Sequence, residues 1–161
     1  MTMSKVTPFL WFDKDAETAA RFYVSLLPNS RVDNVTAMAA DSPSGPAGSV
    51  QVVEFTLQGE PFAAMNAGRH DPFNDAVSFM ILCDTQEEID RLWKAHLDNG
   101  GKEQACGWLK DRWGVSWQIT PRRLMEMMKS PDRAASRRAS EAMMTMIKLD
   151  IAALEKAFKG A

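Results

Sequence analysis

The sequence contains FLWFDKDAETAARFYVSLLPN at 9–29 and, 70 residues later, FMILCDTQEEIDRLWKAHLDN at 79–99. Both stretches begin with a short apolar run, which is typical of a buried strand, and continue with apolar residues at helical steps of three and four. Asp15 and Thr85 occupy matching positions as helix caps, and each helix is predicted to end at an asparagine. Strand, cap, helix and end repeat together, which predicts two copies of one structural module.

Further strands are predicted after each helix, separated by turns that contain glycine or proline. The predicted strands cover 6–12, 31–38, 49–57 and 61–66 in the first half and 76–82, 102–110 and 115–120 in the second. Residues 41–48 are predicted to form a loop, and 111–114 the turn of a hairpin. The sequence therefore predicts an α+β fold, a single domain of residues 1–161 with two βαβββ modules at 5–68 and 75–121.

A C-terminal helical extension is predicted for residues 122–158. Six of the 11 methionines lie at its start and centre, between Met125 and Met146. One apolar stripe at steps of three and four comprises Met143, Ile147, Ile151, Leu154 and Phe158. Such a stripe is expected to pack against the sheet or against a second subunit. Helix starts are indicated at Ser130-Pro131 and Asp150, so the sequence is compatible with one long helix or two short ones.

Composition argues against several classes of protein. The 161 residues carry 19 basic and 21 acidic side chains, without the basic stripe that nucleic-acid binding requires. No apolar run approaches the roughly 18 residues of a membrane span, and no secretion signal is recognised. Cys83 and Cys106 are too few for a disulfide framework and are expected to be free thiols. We therefore expect a cytoplasmic protein without nucleic-acid or membrane partners.

Three segments resemble a known family. They are TPFLWFDKDAETAARFYVSLLPNS at 7–30, MNAG at 65–68 and CGWLKDRWGVSWQITP at 106–121. They are similar to the PhnB-like branch of the vicinal oxygen chelate superfamily, which includes glyoxalases and bleomycin-resistance proteins and is built from paired βαβββ modules. Members of this branch carry the name 3-demethylubiquinone-9 3-methyltransferase. The resemblance extends over residues 5–158 and implies the same fold.

Metal-dependent members of that superfamily hold a divalent ion through His, Gln or Glu at positions that the resemblance places on Pro8, Ala63 or Met65, Ala76 and Gln118. Of these side chains, Gln118 is the one that can coordinate, through its amide oxygen, whereas catalytic zinc sites use about three protein ligands. We therefore expect no cofactor and no metal of the glyoxalase type. The alternative is a metal-dependent lyase, isomerase or dioxygenase that uses Glu54, His70 or Gln118. His96, on a helix, is expected to pack.

A methyltransferase activity would require a pattern of glycines that this sequence lacks. A typical S-adenosylmethionine site needs a glycine-rich turn between a strand and a helix. The nine glycines form no such motif, and Gly100-Gly101 follow a helix. We therefore treat the methyltransferase function as the less favoured alternative.

Strand alternation and the family resemblance together indicate which side chains could line a cup between the modules. The resemblance implies Met65, Asn66, Cys106 and Trp108, and the full set of candidate ligand-binding residues is Pro8, Leu10, Phe12, Met65, Asn66, Ser78, Cys106, Trp108, Ser116 and Gln118. An apolar cup with a few hydroxyl and amide groups is typical of a small-ligand site, although the polar groups could equally satisfy neighbouring backbone. No catalytic residue is assigned, and Cys106 is interpreted as a buried, inert thiol. We hypothesise a homodimer that binds a small organic ligand without metal.

Overall fold

The structure is a computed structural model that describes residues 4–69 and 71–161. Its internal contacts divide the chain into two compact units, one ending at Pro72 and one spanning Phe73–Ala161. We call them unit 1 and unit 2. Within the described residues, no helix is both long enough and apolar enough to span a membrane.

Unit 1 contains one helix and one four-stranded sheet, which we call sheet 1. Its elements are β1 (Phe9–Phe12), α1 (Ala16–Leu26), β2 (Arg31–Ala37), β3 (Gln51–Leu57) and β4 (Glu60–Asn66). The strand order is β1-β4-β3-β2, with β1 parallel to β4 and the other neighbours antiparallel. This is the predicted βαβββ arrangement.

Helix α1 covers one face of sheet 1. The ring of Tyr23 on α1 lies 6.3 Å from that of Phe55 on β3, which stacks on Phe62 of β4 at 5.4 Å. The helix begins where the backbone amide of Ala16 donates to Asn66 Oδ1, at 2.9 Å. The side chain of Asn66 therefore joins the end of β4 to the start of α1.

Unit 2 repeats this arrangement in sheet 2. Its first elements are β5 (Ser78–Cys83), α2 (Gln86–Asp98), β6 (Lys102–Glu103), β7 (Trp108–Lys110) and β8 (Ser116–Pro121). The order is β5-β8-β7-β6, again with the first pair parallel. The predicted cap is confirmed, because the amide of Glu88 donates to Thr85 Oγ1. The α+β fold with two βαβββ modules is confirmed, but the predicted strand 102–110 is two short strands separated by residues 104–107.

A buried carboxylate shapes the hairpin between β7 and β8. Asp111 Oδ1 accepts the backbone amides of Trp113 and Val115, at 2.9 and 3.0 Å, and Oδ2 accepts the indole N–H of Trp117 at 3.0 Å. These bonds satisfy donors that the turn would otherwise leave buried without an acceptor. The most specific block of the sequence, 106–121, therefore contains a residue with a clear structural role.

The C-terminal extension folds as three helices, α3 (Arg122–Met128), α4 (Arg133–Met144) and α5 (Ile151–Lys159). Its buried core consists of Leu124, Met127, Ala139, Leu149 and Leu154. The predicted continuous stripe is wrong at its centre, because the chain leaves the helix after Met144 and Ile147 is 50% exposed. Asp150 caps α5 as expected, accepting the amide of Ala153.

Candidate functional site

The face of sheet 1 opposite α1, which we call open face 1, carries exposed aromatic side chains. Phe9 is 48% exposed and Trp11 is 39% exposed, and the Arg69 guanidinium lies 5.1 Å from the centre of the Trp11 ring. Trp11 pairs with Met65 of β4, which is half-buried on the same face. Open face 1 therefore carries exposed aromatic side chains with the Arg69 guanidinium beside them, and Glu54, which pairs with Ala63, lies on the same face.

Three predicted ligand-binding residues lie on the side of sheet 1 that α1 covers, namely Leu10, Phe12 and Asn66. Leu10 and Phe12 are buried, and they pair with Ala64 and Asn66 in register with the residues that α1 covers. Leu10 and Phe12 therefore face α1 and do not lie on open face 1, whereas the sequence led us to expect them to line a cup. Alternation separates a strand into two faces, but the helix determines which face is covered. Pro8 precedes β1 and is exposed, and its carbonyl accepts the amide of Ala63.

In sheet 2, helix α2 covers the face that contains Trp117, whose ring lies 5.7 Å from that of His96 on α2. The opposite side, open face 2, brings four predicted residues together. These are Ser78, Trp108, Ser116 and Gln118, all joined by strand pairing across β5, β8 and β7. Gln118 Nε2 donates to Ser78 Oγ at 2.9 Å, and Met80, 42% exposed, pairs with Gln118.

A charged group that the sequence analysis missed lies beside this pair. Asp75 accepts the hydroxyl of Ser116 at 2.7 Å and has Lys110 Nζ at 3.5 Å. The hydrogen bond from Ser116 is the main cause that lowers the pKa of Asp75, and the Lys110 charge adds to it. Ser116 is fully buried and bound to Asp75. Asp75 lies three residues before β5, where no periodic pattern identifies it.

Cys106 lies in the loop between β6 and β7 and is partly exposed, so the prediction that this thiol is buried is wrong. Its backbone has a left-handed φ of 60°, and its amide donates to the carbonyl of Met146 at 2.8 Å. The same loop leads directly into Trp108 of β7. Cys106 is therefore held by the C-terminal extension through its backbone.

The side chains at the superfamily's metal positions do not fit a metal. Pro8, Ala63 and Ala76 carry no ligating side-chain atom, and one amide oxygen from Gln118 falls short of the roughly three protein ligands of a catalytic zinc site. Across the part of the chain that the structure describes, no group of three or more His, Cys, Asp or Glu residues could hold a metal ion. Glu54 Oε2 accepts from Asn34 Nδ2 at 3.3 Å, and His70 lies outside the described residues.

His96 and Cys83 are buried on the helix-covered side of sheet 2. Burial lowers the pKa of His96 from 6.5 to about 4. Burial is also the main cause that raises the pKa of Cys83 to about 12. Both side chains are therefore neutral at pH 7 and belong to the packing of unit 2, as expected for His96.

This burial of His96 predicts a pH dependence of stability. The unfolded chain binds a proton below about pH 6.5, but the folded chain does so only below about pH 4. The free energy of unfolding should therefore decrease by about 3 kcal/mol as the pH falls from 6.5 to 4, with no further loss from His96 below that. Urea unfolding of the original chain and His96→Leu at pH 7 and pH 4.5 measures this. An equal decrease in both proteins would contradict the prediction.

Comparison with known proteins agrees with the geometry. The family model of 3-demethylubiquinone-9 3-methyltransferase matches residues 4–120. A putative 3-demethylubiquinone-9 3-methyltransferase, PhnB protein, from Bacillus cereus is 30% identical, with 73% of this chain and 99% of that chain covered and a TM-score of 0.64. The fosfomycin resistance protein FosX from Mesorhizobium loti is 13% identical, with 73% and 90% covered and a TM-score of 0.51, which shows a shared fold. The search of curated proteins found no match.

Proposed function

We propose that this chain, which belongs to the 3-demethylubiquinone-9 3-methyltransferase family, binds a small neutral organic molecule through open face 2 of sheet 2. The observation that carries the proposal is the hydrogen-bonded pair of Ser78 and Gln118, flanked on open face 2 by the apolar side chains of Met80 and Trp108. Small-ligand sites typically combine an apolar surface with a few placed polar groups.

The Ser78–Gln118 pair defines the polar part of the ligand. Because the Gln118 amide nitrogen donates to Ser78 Oγ, a ligand can use the Gln118 carbonyl oxygen as an acceptor and the Ser78 hydroxyl as a donor. The pair carries no net charge, and the nearby charges of Asp75 and Lys110 interact with each other. A neutral molecule with adjacent acceptor and donor groups is therefore the best match.

Apolar contact supplies the remaining surface. Met80 is 42% exposed on open face 2. Burial of such a side chain against a ring contributes roughly 25 cal/mol per Å² of apolar area removed from water.

We also propose that the protein is a homodimer in which a second copy covers the exposed side chains of Phe9 and Trp11 on open face 1. Its free cysteines, Cys83 and Cys106, support a reducing, cytoplasmic location.

A methyltransferase activity has less support in this chain. The turns that connect β1 to α1 and β5 to α2 consist of Asp13-Lys14-Asp15 and Asp84-Thr85. They contain no glycine, whereas a strand-to-helix turn that approaches a nucleotide closely depends on it. The name of the Bacillus cereus relative therefore does not lead us to propose S-adenosylmethionine as a cofactor.

Native mass spectrometry of the freshly purified protein tests the proposal directly. The expected result is a dimer without stoichiometric metal that retains an organic mass or gains one when benzamide is added. Benzamide is a suitable probe because its carbonyl can accept from Ser78 and its amide can donate to Gln118. One metal ion per subunit, or a mass increase with added S-adenosylmethionine, would contradict the proposal.

Substitution of the polar pair gives a sharper prediction. Ser78→Ala and Gln118→Leu should each weaken benzamide binding about tenfold, because a lost hydrogen bond of about 1.4 kcal/mol corresponds to that factor. Saturation-transfer NMR measures the binding, with Ser140→Ala on α4 as the control. Benzoate has the same ring but carries a negative charge, and it should bind more weakly than benzamide. Equal binding of both probes, or unchanged benzamide binding in the two variants, would refute the role of the pair.

A further inference from the structure

We infer that residues 145–150 of the C-terminal extension, which we call the clasp segment, position Trp108 at open face 2, and that Gln86 of α2 is the positioning residue that holds this segment. The consequence for ligand binding rests on the proposed function. The inference that the clasp segment stabilises the loop at 104–107 does not depend on the proposed function, because it concerns the conformation of this loop and not a ligand.

The clasp segment binds that loop through its backbone. The amides of Cys106 and Gly107 donate to the carbonyls of Met146 and Ile147, at 2.8 and 2.7 Å. Both donors belong to residues with positive φ, 60° and 79°. Cys106 and Gly107 are therefore both in the left-handed region of backbone conformation. A non-glycine residue such as Cys106 adopts this conformation at an energetic cost. The bonds to the clasp segment stabilise this conformation.

Close packing reinforces these hydrogen bonds. A Cβ atom on Gly107 would lie 2.7 Å from Leu149 Cδ1 and 3.0 Å from the carbonyl oxygen of Ile119. Leu149 is fully buried in the core of the extension. The carbonyl of Gly107 accepts the amide of Ile119 in β8, at 2.8 Å. The loop is therefore confined between the clasp segment and sheet 2, one residue before Trp108.

Helix α2 holds the clasp segment from the other side. Gln86 Nε2 donates to the carbonyl of Leu149 at 3.0 Å, and Gln86 Oε1 accepts the amide of Ile151 at 2.9 Å. Lys148 Nζ lies 2.7 Å from Asp90 Oδ1, one helical turn after Gln86. The side chain of Gln86 thus satisfies a donor and an acceptor at the point where the clasp segment enters α5.

The clasp segment lies outside the residues that the family model matches, and the predicted extent of the resemblance, residues 5–158, is longer than that match. The family model matches residues 4–120, and the Bacillus cereus structure aligns over 99% of its own length with 73% of this chain. Trp108, in contrast, lies within the matched part and pairs with Gln118. The clasp segment, which the family model does not include, therefore stabilises the loop before Trp108, a residue that the model does include.

Hydrogen exchange of individual amides, measured by NMR on the full chain, tests the inference. Gln86→Ala should accelerate exchange of the Cys106 and Gly107 amides at least tenfold and weaken benzamide binding, while Glu87→Ala, its exposed neighbour on α2, should change neither. Lys148→Ala, at an exposed position, gives a smaller acceleration and serves as the second variant if Gln86→Ala does not fold.

The outcomes separate this inference from the proposed function. Rapid exchange of both amides in the original chain, or unchanged exchange in Gln86→Ala and Lys148→Ala, would overturn the clasp. If the two amides respond but benzamide binds to none of the proteins, the clasp stands and the proposed function fails. If the amides respond and benzamide binding stays the same, the clasp does not position Trp108 for the ligand.

Discussion

Asp111→Ala is expected to lower the free energy of unfolding of unit 2 by about 3 kcal/mol, because it leaves buried donors without their acceptor. The affected groups are the amides of Trp113 and Val115 and the indole N–H of Trp117. Water cannot replace the carboxylate easily, since the side chain lies in the buried turn between β7 and β8. Urea unfolding followed by tryptophan fluorescence measures the effect.

Asp111→Asn is the matched control. Its carbonyl oxygen can still accept the two backbone amides, but its amide group would face the indole N–H of Trp117, which is also a donor. We therefore expect a smaller loss than in Asp111→Ala. Equal stability of Asp111→Ala and the original chain would show that the carboxylate does not organise the hairpin.

Phe12→Ala is expected to destabilise unit 1 by about 4 kcal/mol, which is the usual cost of truncating a buried aromatic side chain. Phe12 is buried on the face of sheet 1 that α1 covers. It pairs with Asn66, the last residue of β4, whose side chain accepts the first amide of α1. The midpoint of urea unfolding, followed by circular dichroism, should therefore shift to a lower concentration.

Phe9→Ala provides the comparison on the same strand. Phe9 is 48% exposed on open face 1, so its truncation should cost less than about 1 kcal/mol. The same substitution should reduce the apolar surface that we propose for subunit contact. A larger loss of stability in Phe9→Ala than in Phe12→Ala would reverse the assignment of the two faces.

The face on which each candidate site residue lies could be predicted for β8 of sheet 2 but only in part for β1 of sheet 1. On β8, the alternation from Ser116 to Gln118 placed both residues on one face, but the pairing that brings Ser78 of β5 beside Ser116 became known only from the structure. On β1, alternation separated Leu10 from Trp11 correctly but assigned the wrong residue to the open face. Asn66, a predicted ligand contact, instead accepts the first amide of α1.

Sequence patterns were sufficient for the features that depend on local order. The repeat at an offset of 70 residues, the cap at Thr85 and the start of α5 at Asp150 each arise from residues close in the chain. Local propensity and hydrophobic periodicity act over this range, so these elements and the two βαβββ modules could be derived without coordinates.

Features that join distant residues required the folded chain. Gln86 meets Leu149, Ser116 meets Asp75, and the 104–107 loop meets the clasp segment across separations that no periodicity encodes. The covered face of each sheet depends in the same way on where its helix packs. Such contacts form because tertiary packing brings together groups that need hydrogen-bond partners or apolar neighbours, and a linear pattern does not specify which ones will meet.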